Sequence, residues 1–145
     1  MAGGRRHPLY ALRFLGAVAV LGVGAVHIDQ YFAVHYEVVP VIGTLFLLNL
    51  IGAAAIALLL ILPTERLLGV AVVGLLALVG IALATSSGVF LLVSEHTTLF
   101  GFMENGYRTA IVLSFIAEGA TVALLGAYVV ALVGHRGDPA ASQLS

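Results

Sequence analysis

Between Val38 and Thr64, and again between Leu67 and Ser94, the chain carries no charged residue for 27 and 28 positions. Each run exceeds the roughly 20 residues an α-helix needs to cross the hydrocarbon core of a bilayer. Two further apolar stretches flank them. Leu9 to Ile28 is interrupted only by Arg13, and Tyr107 to Gly134 only by Arg108 at its mouth and Glu118 inside. The expectation is an all-α integral membrane protein, an antiparallel four-helix bundle. Its spans fall at about 9–28, 41–62, 67–94 and 107–134, with outer connections at 29–40 and 95–106. With 61% hydrophobic and 9% charged residues, the 145-residue chain has too little polar surface to cover a soluble globule, and one transmembrane domain accounts for its whole length. A net charge of −1 leaves no electrostatic footprint for nucleic acid.

Charge placement sets the orientation. Arg5, Arg6, Arg13, Arg66 and Arg136 lie in the N-terminal tail, the second connection and the C-terminal tail, so the positive-inside rule predicts the cytoplasmic (inner) membrane with both termini in the cytoplasm. Only Arg108 falls on the other side. A basic start before an apolar core also describes a secretory signal, with Phe14 to Val26 as its core and Val23-Gly24-Ala25 as a cleavage site. The four-span reading is preferred, because Leu9 to Ile28 can span if Arg13 snorkels to the interface, and only an uncleaved helix returns both termini to the arginine-rich side.

Pro40 marks the entry to the second helix and Pro63 its end, and Thr64-Glu65-Arg66 predicts a tight turn into the third. Tyr10, Tyr31, Phe32, Tyr36, Phe100, Phe102 and Tyr107 lie near span ends, where aromatic rings favour the headgroup region. Gly80, Ala84 and Gly88 form one small-residue stripe, and Gly119, Ala123, Ala127 and Ala131 another. Such stripes let helices approach closely in lipid, which predicts that these two faces pack or that one of them serves a homodimer.

On the last helix Tyr107, Ser114, Glu118, Thr121 and Tyr128 fall within an arc of about 80° at 100° per residue, a single polar line that must face protein or water. Glu118 lies about 16 Å along that helix, near the bilayer centre, where a bare carboxylate needs a proton, a partner or water. Asn49 and Ser86 come at similar depth. Asn49, Ser86, Ser114 and Glu118 are thus expected to form an intramembrane polar layer. Glu118 either fixes helix register by donating to Asn49 or a backbone carbonyl, or exchanges protons or cations at the floor of an outward-facing cavity.

The outer connections hold a denser set of ligand types. His27-Ile28-Asp29 and His35-Tyr36-Glu37 repeat a His-x-acid pattern, and Glu95-His96 and Glu104 add to it. Imidazole with carboxylate suits zinc, copper, nickel or iron, and the absence of cysteine excludes thiolate sites. His27, Asp29, His35, Glu37, Glu95, His96 and Glu104 are therefore the candidate metal ligands. A b-type haem between His27 and His96 requires two facing histidines at similar depth. Arg108 invites an anionic headgroup or a loop ion pair with Glu104.

The stretches from His27-Ile28-Asp29 through Val41-Ile42-Gly43-Thr44-Leu45-Phe46-Leu47-Leu48-Asn49, with Leu99-Phe100-Gly101-Phe102-Met103-Glu104, resemble a group of small four-span integral membrane proteins of high-GC bacteria. That likeness covers most of the chain, implies the topology and brings no activity with it. Three function classes follow from the residues: a small-ligand or metal-binding membrane protein, a proton- or cation-coupled transporter acting as an oligomer, and an accessory subunit of a larger membrane complex. An intramembrane enzyme has the least support, since the spans present no Ser-His pair in register, no aspartate pair and no metalloprotease helix.

Overall fold

The computed structural model describes residues 6–104 and 106–136. Arg5 and the tail from Gly137 lie outside them, as do the side chains of Arg6 and Arg136. Among the described residues all regular structure is helical: α1 (Arg6–Ala33), α2 (Pro40–Ile61), the short α3 (Thr64–Leu68), α4 (Val70–Ser94) and α5 (Thr109–Arg136), with a 3-10 turn at Tyr36–Val38. Four segments, Pro8–Ala33, Pro40–Ile61, Val70–Ser94 and Thr109–His135, are long and apolar enough to cross a membrane.

Two boundaries differ from those expected. α1 runs on through the residues assigned to the first outer connection, because Asp29 to Ala33 contains neither glycine nor proline, and the chain turns only where His35 adopts a left-handed conformation at φ 59°. Thr64 to Leu68 is a helix of its own rather than a tight turn. It is separated from α4 by Gly69 at φ 85° and ψ 160°, a backbone conformation essentially restricted to glycine. Pro40 does open α2 in its first turn, where its missing N–H is harmless, and Thr64 Oγ1 donates to Leu59 O at 2.6 Å to satisfy a carbonyl at the other end.

α1 packs against α2 and α5, and α4 against α5 and α2, so the long helices form a ring in the order α1, α2, α4, α5. Its tightest packing lies towards the α2–α3 turn. Val20 of α1, Ile56 and Leu60 of α2, Val73 and Ala77 of α4, and Leu125 of α5 meet there. Leu125 reaches two glycines at once: a Cβ on Gly80 would stand 2.8 Å from Leu125 Cδ1, and one on Gly16 would collide with Leu125 Cδ2. The small residues of α4 thus face inward as expected, but they meet the Glu118–Leu125 face of α5. The Gly119, Ala123 and Ala127 stripe points out of the ring and is exposed. The reason is the polar line: Ser114, Glu118 and Thr121 claim the inner face of α5, so the small residues on the opposite side are turned outward.

Below this core Arg13, buried on α1, donates through Nη1 to Glu65 Oε2 at 2.6 Å and through Nη2 to Leu62 O at 3.2 Å, with its guanidinium 5.5 Å from the Tyr10 ring. It ties α1 to the α2–α3 turn. Burial pushes the Glu65 carboxyl up, but the bond from Arg13, a backbone hydrogen bond and the charges of Arg13 and Arg66 together outweigh it and hold the group below the usual carboxylate range. A depressed carboxylate stabilises the fold above its ordinary range and ceases to do so as pH falls through its folded value. Acidification below about pH 4 is therefore expected to lower the thermal midpoint of the wild type more than that of Glu65→Gln; parallel acid profiles in the two proteins would refute the coupling.

Candidate functional site

The opposite half of the ring is hollow. A cavity of about 260 Å³ lies between the four long helices under the connections that follow α1 and α4. Its wall is mostly apolar, with Phe46, Leu83, Phe90 and Ile111 among its residues, and its polar members are Gln30, His27, Asn49, Ser86, Ser87, Ser94 and Ser114, with Tyr36, Glu104 and Arg108 at the roof. Leu45, Leu48, Ser86 and Phe90 line it and are also exposed, so its mouth lies along the α2–α4 seam.

Sequence order explains how each wall is positioned. His27 sits about 9 Å below the end of α1, Asn49 about 13 Å into α2, Ser87 about 10 Å back from the end of α4, and Glu118 about 13 Å into α5. They therefore occupy one level. His27 Nδ1 lies 2.8 Å from Val23 O, and because a carbonyl can only accept, that nitrogen carries the proton. Nε2 is then the lone-pair nitrogen, and Ser87 donates to it across 3.0 Å from α4. Ser87 also borders the Glu118 carboxyl. With its own hydrogen on His27 it leaves Glu118 Oε2 without a bond, while Ser114 donates to Oε1 at 3.2 Å. Oε2 rests in a notch above Gly88, where a Cβ would stand 2.8 Å away.

The roof is a three-way polar knot. Tyr36 donates to Glu104 Oε2 at 2.7 Å, and Arg108 Nη2 donates to both Glu104 oxygens and to the Tyr36 hydroxyl, each at 2.9 Å. Burial, then the bond to Glu104, pushes the Tyr36 hydroxyl from 10.0 up to about 12. Burial works against the Arg108 charge, but Glu104 and Tyr36 outweigh it and hold the guanidinium more firmly protonated. The rings of Phe102, Tyr36, Phe46 and His27 stack edge to face in succession at 5.1, 5.1 and 5.0 Å, linking roof to floor. Glu104 reaches this position because its N–H bonds Ser94 O at 2.9 Å, after a reversal at Leu99–Phe102 in which Phe100 and Gly101 both take positive φ.

Of the expected polar layer, Asn49 and Ser114 are buried in the cavity wall, and Glu118 is buried behind Ser114. Glu118 does not bond Asn49, whose Oδ1 has no partner among the described residues. Ser86 lies at the mouth, its hydroxyl on Ala82 O at 2.7 Å, and Ser87 takes the place assigned to it. That exchange was available from helical spacing, since Ser87 and not Ser86 shares a face with Gly80, Ala84 and Gly88. The pairing of Ser87 with His27 also corrects the expectation that the spans hold no Ser-His pair. Tyr36 and Phe102 are cavity wall rather than interface anchors, whereas Tyr10, Phe32, Phe100 and Tyr107 are exposed. The ion pair of Arg108 with Glu104 is present.

The outer metal set does not assemble: among the described residues no three histidine, aspartate or glutamate side chains gather where they could hold a metal ion. His27 turns inward to Ser87. Asp29 is exposed and accepts from Gln30 Nε2 at 2.9 Å. His35 and Glu37 pair with each other at 2.9 Å on the surface, which holds the Glu37 carboxyl below its usual range. Glu95 accepts from the Gly106 N–H at 3.2 Å, His96 is exposed with Nδ1 on Leu92 O, and Glu104 belongs to the roof. The cause is the extension of α1, which keeps His27 inside the ring while His35 leaves on a left-handed turn. Neither the zinc, copper, nickel or iron site nor a haem between a buried His27 and an exposed His96 retains its geometry.

Comparison with protein-family models, with curated proteins and with solved structures finds no match to this chain.

Proposed function

We propose that this chain is a four-span protein of the cytoplasmic membrane, an antiparallel bundle with both termini in the cytoplasm, that binds a small, largely apolar molecule in a cavity at its outer end. Four long apolar helices and the weight of arginine on one side support the topology. The observation that carries the function is the Asn49 amide, buried in a mostly apolar wall with Oδ1 unpartnered among the described residues. A ligand that completes that bond removes a standing penalty of about 1–3 kcal/mol. A continuous passage through one copy is disfavoured, because Val20, Ile56, Leu60, Val73 and Leu125 fill the ring beneath the floor. The exposed Gly119, Ala123 and Ala127 stripe favours association with a second copy or a larger complex as an addition to this role.

The chain contains no cysteine, so single-cysteine variants can be labelled cleanly. In right-side-out vesicles His96→Cys, exposed beyond α4, is expected to react with a membrane-impermeant maleimide and Val70→Cys only after permeabilisation, while Ser86→Cys, at the lateral mouth, is expected to react with a lipid-soluble maleimide. Labelling of Val70→Cys alone by the impermeant reagent would invert the topology, and failure of Ser86→Cys with the lipid-soluble reagent would close the cavity.

A further inference from the structure

Resting on the reading of the cavity as a ligand site, we infer that its occupant is a lipophilic amine, an ammonium head on an apolar body, with Asn49 and the Glu118 layer as its counterpart.

Gln30 Oε1, Asn49 Oδ1 and Glu118 Oε2 are all buried without a hydrogen-bond partner among the described residues. Gln30 and Asn49 line the cavity, and Glu118 stands directly behind Ser114, which does. The Gln30 amide cannot be turned round, because its Nε2 is held by Asp29 Oδ2, so the idle atom is its oxygen. The hydroxyl and imidazole donors of the wall are already engaged: Ser87 with His27 Nε2, Ser114 with Glu118, Ser86 with Ala82 O, Ser94 with Leu91 O, and His27 Nδ1 with Val23 O. Arg108 is spent on Glu104 and Tyr36. With three idle acceptors against the single Asn49 amide donor left free among the described residues, the site favours a molecule that donates. It offers little to carboxylate, phosphate or ketone heads.

Charge selects among donors. The titratable groups around the cavity are His27 on α1, Tyr36 on the 3-10 turn, and Glu104 and Arg108 at the roof, while α2 and α4 contribute none. Glu104 and Arg108 cancel each other. Glu118 forms no ion pair among the described residues, so an acid lies just behind Ser114 with no protein cation to meet it. Between roof and floor stand Tyr36, Phe46, Phe90 and Phe102, whose rings favour a cation over a neutral head. An alcohol brings a single O–H donor and no charge. A primary ammonium brings three N–H donors and the missing charge, and its apolar body fits the α2–α4 mouth at Leu45, Leu48 and Phe90.

Three probes with one chain and different heads test this: n-decylamine, n-decanol and decanoate, titrated against the full-length protein in nanodiscs with the thermal midpoint as readout. Decylammonium is expected to raise the midpoint saturably and the other two to leave it unchanged. Glu118→Gln, which keeps the shape of the side chain, and Asn49→Leu should each weaken the amine at least tenfold, and Ala110→Trp, which fills the cavity, should abolish its effect. An equal response to decanol, or a stronger one to decanoate, overturns the amine and leaves the cavity reading standing. A response of Ala110→Trp equal to that of the wild type assigns the shift to the bilayer and overturns the inference. No response to any probe, with Ser86→Cys still labelled by the lipid-soluble maleimide, overturns the inference alone; without that labelling the cavity reading falls as well.

Discussion

Leu125→Ala is expected to destabilise the fold by about 2–3 kcal/mol, the lower part of the range known for buried leucines. Leu125 is fully buried and fills the space that Gly16 and Gly80 leave on two different helices. In a soluble core the loss would combine transfer and cavity terms. In lipid the transfer term largely disappears, because acyl chains are as apolar as the side chain, and only the lost dispersion contacts and the void remain. The void cannot readily collapse, since α1 is anchored by Arg13 to Glu65 and α4 meets α5 again where Gly88 abuts Glu118. Reversible unfolding in mixed micelles would measure the change. A loss under about 1 kcal/mol would mean that α1 and α4 close over the gap, and that this packing is softer than its burial implies.

Gly43→Val acts at the other end and is expected to unseat the roof. A Cβ at this position would stand 2.5 Å from Tyr36 O and 3.1 Å from Glu37 Cα, both backbone atoms, so no side-chain rotation relieves it. The first turn of α2 cannot yield, because Gly43 N bonds Val39 O at 2.7 Å behind Pro40. The 3-10 turn must therefore lift and carry Tyr36 away from Glu104 and Arg108. Because the folded Tyr36 value is raised, its contribution to stability is complete below pH 10.0 and is lost as pH rises through about 12. In Gly43→Val that window should vanish, so ultraviolet pH titration should show one fewer late-ionising tyrosine, as in Tyr36→Phe. Retention of the late step in Gly43→Val would show that the turn accommodates the side chain without moving the roof.

Hydropathy made the four helices legible, because uncharged runs of this length have few alternatives in lipid. The polar line of α5 was legible for the same kind of reason: Ser114, Glu118 and Thr121 recur at helical spacing, and no apolar solvent accepts them. The partners of that line were not. Ser87 and His27 are 60 residues apart, and nothing local to either says that α4 stands across from α1. The outer residues misled because each has ligand chemistry of its own, while their convergence depended on where α1 stops. One left-handed residue, His35, separates two histidines that an unbroken helix would have kept on one face. Tyr36 was similarly opaque, since an aromatic residue near a span end reads as an anchor until a buried acid is found against its hydroxyl.

The mouth between α2 and α4 opens sideways, through Leu45, Leu48 and Phe90, rather than upward through the roof. In a membrane that makes the leaflet the reservoir from which the cavity fills. On the proposed ligand role, occupancy then follows the mole fraction of the guest among the lipids, not its molarity in water, and a compound scarce in the aqueous phase can fill the site if it partitions well. Dilution with lipid or detergent empties it even at constant aqueous concentration. Two preparations of the same protein will therefore report different apparent affinities unless their lipid-to-guest ratios match.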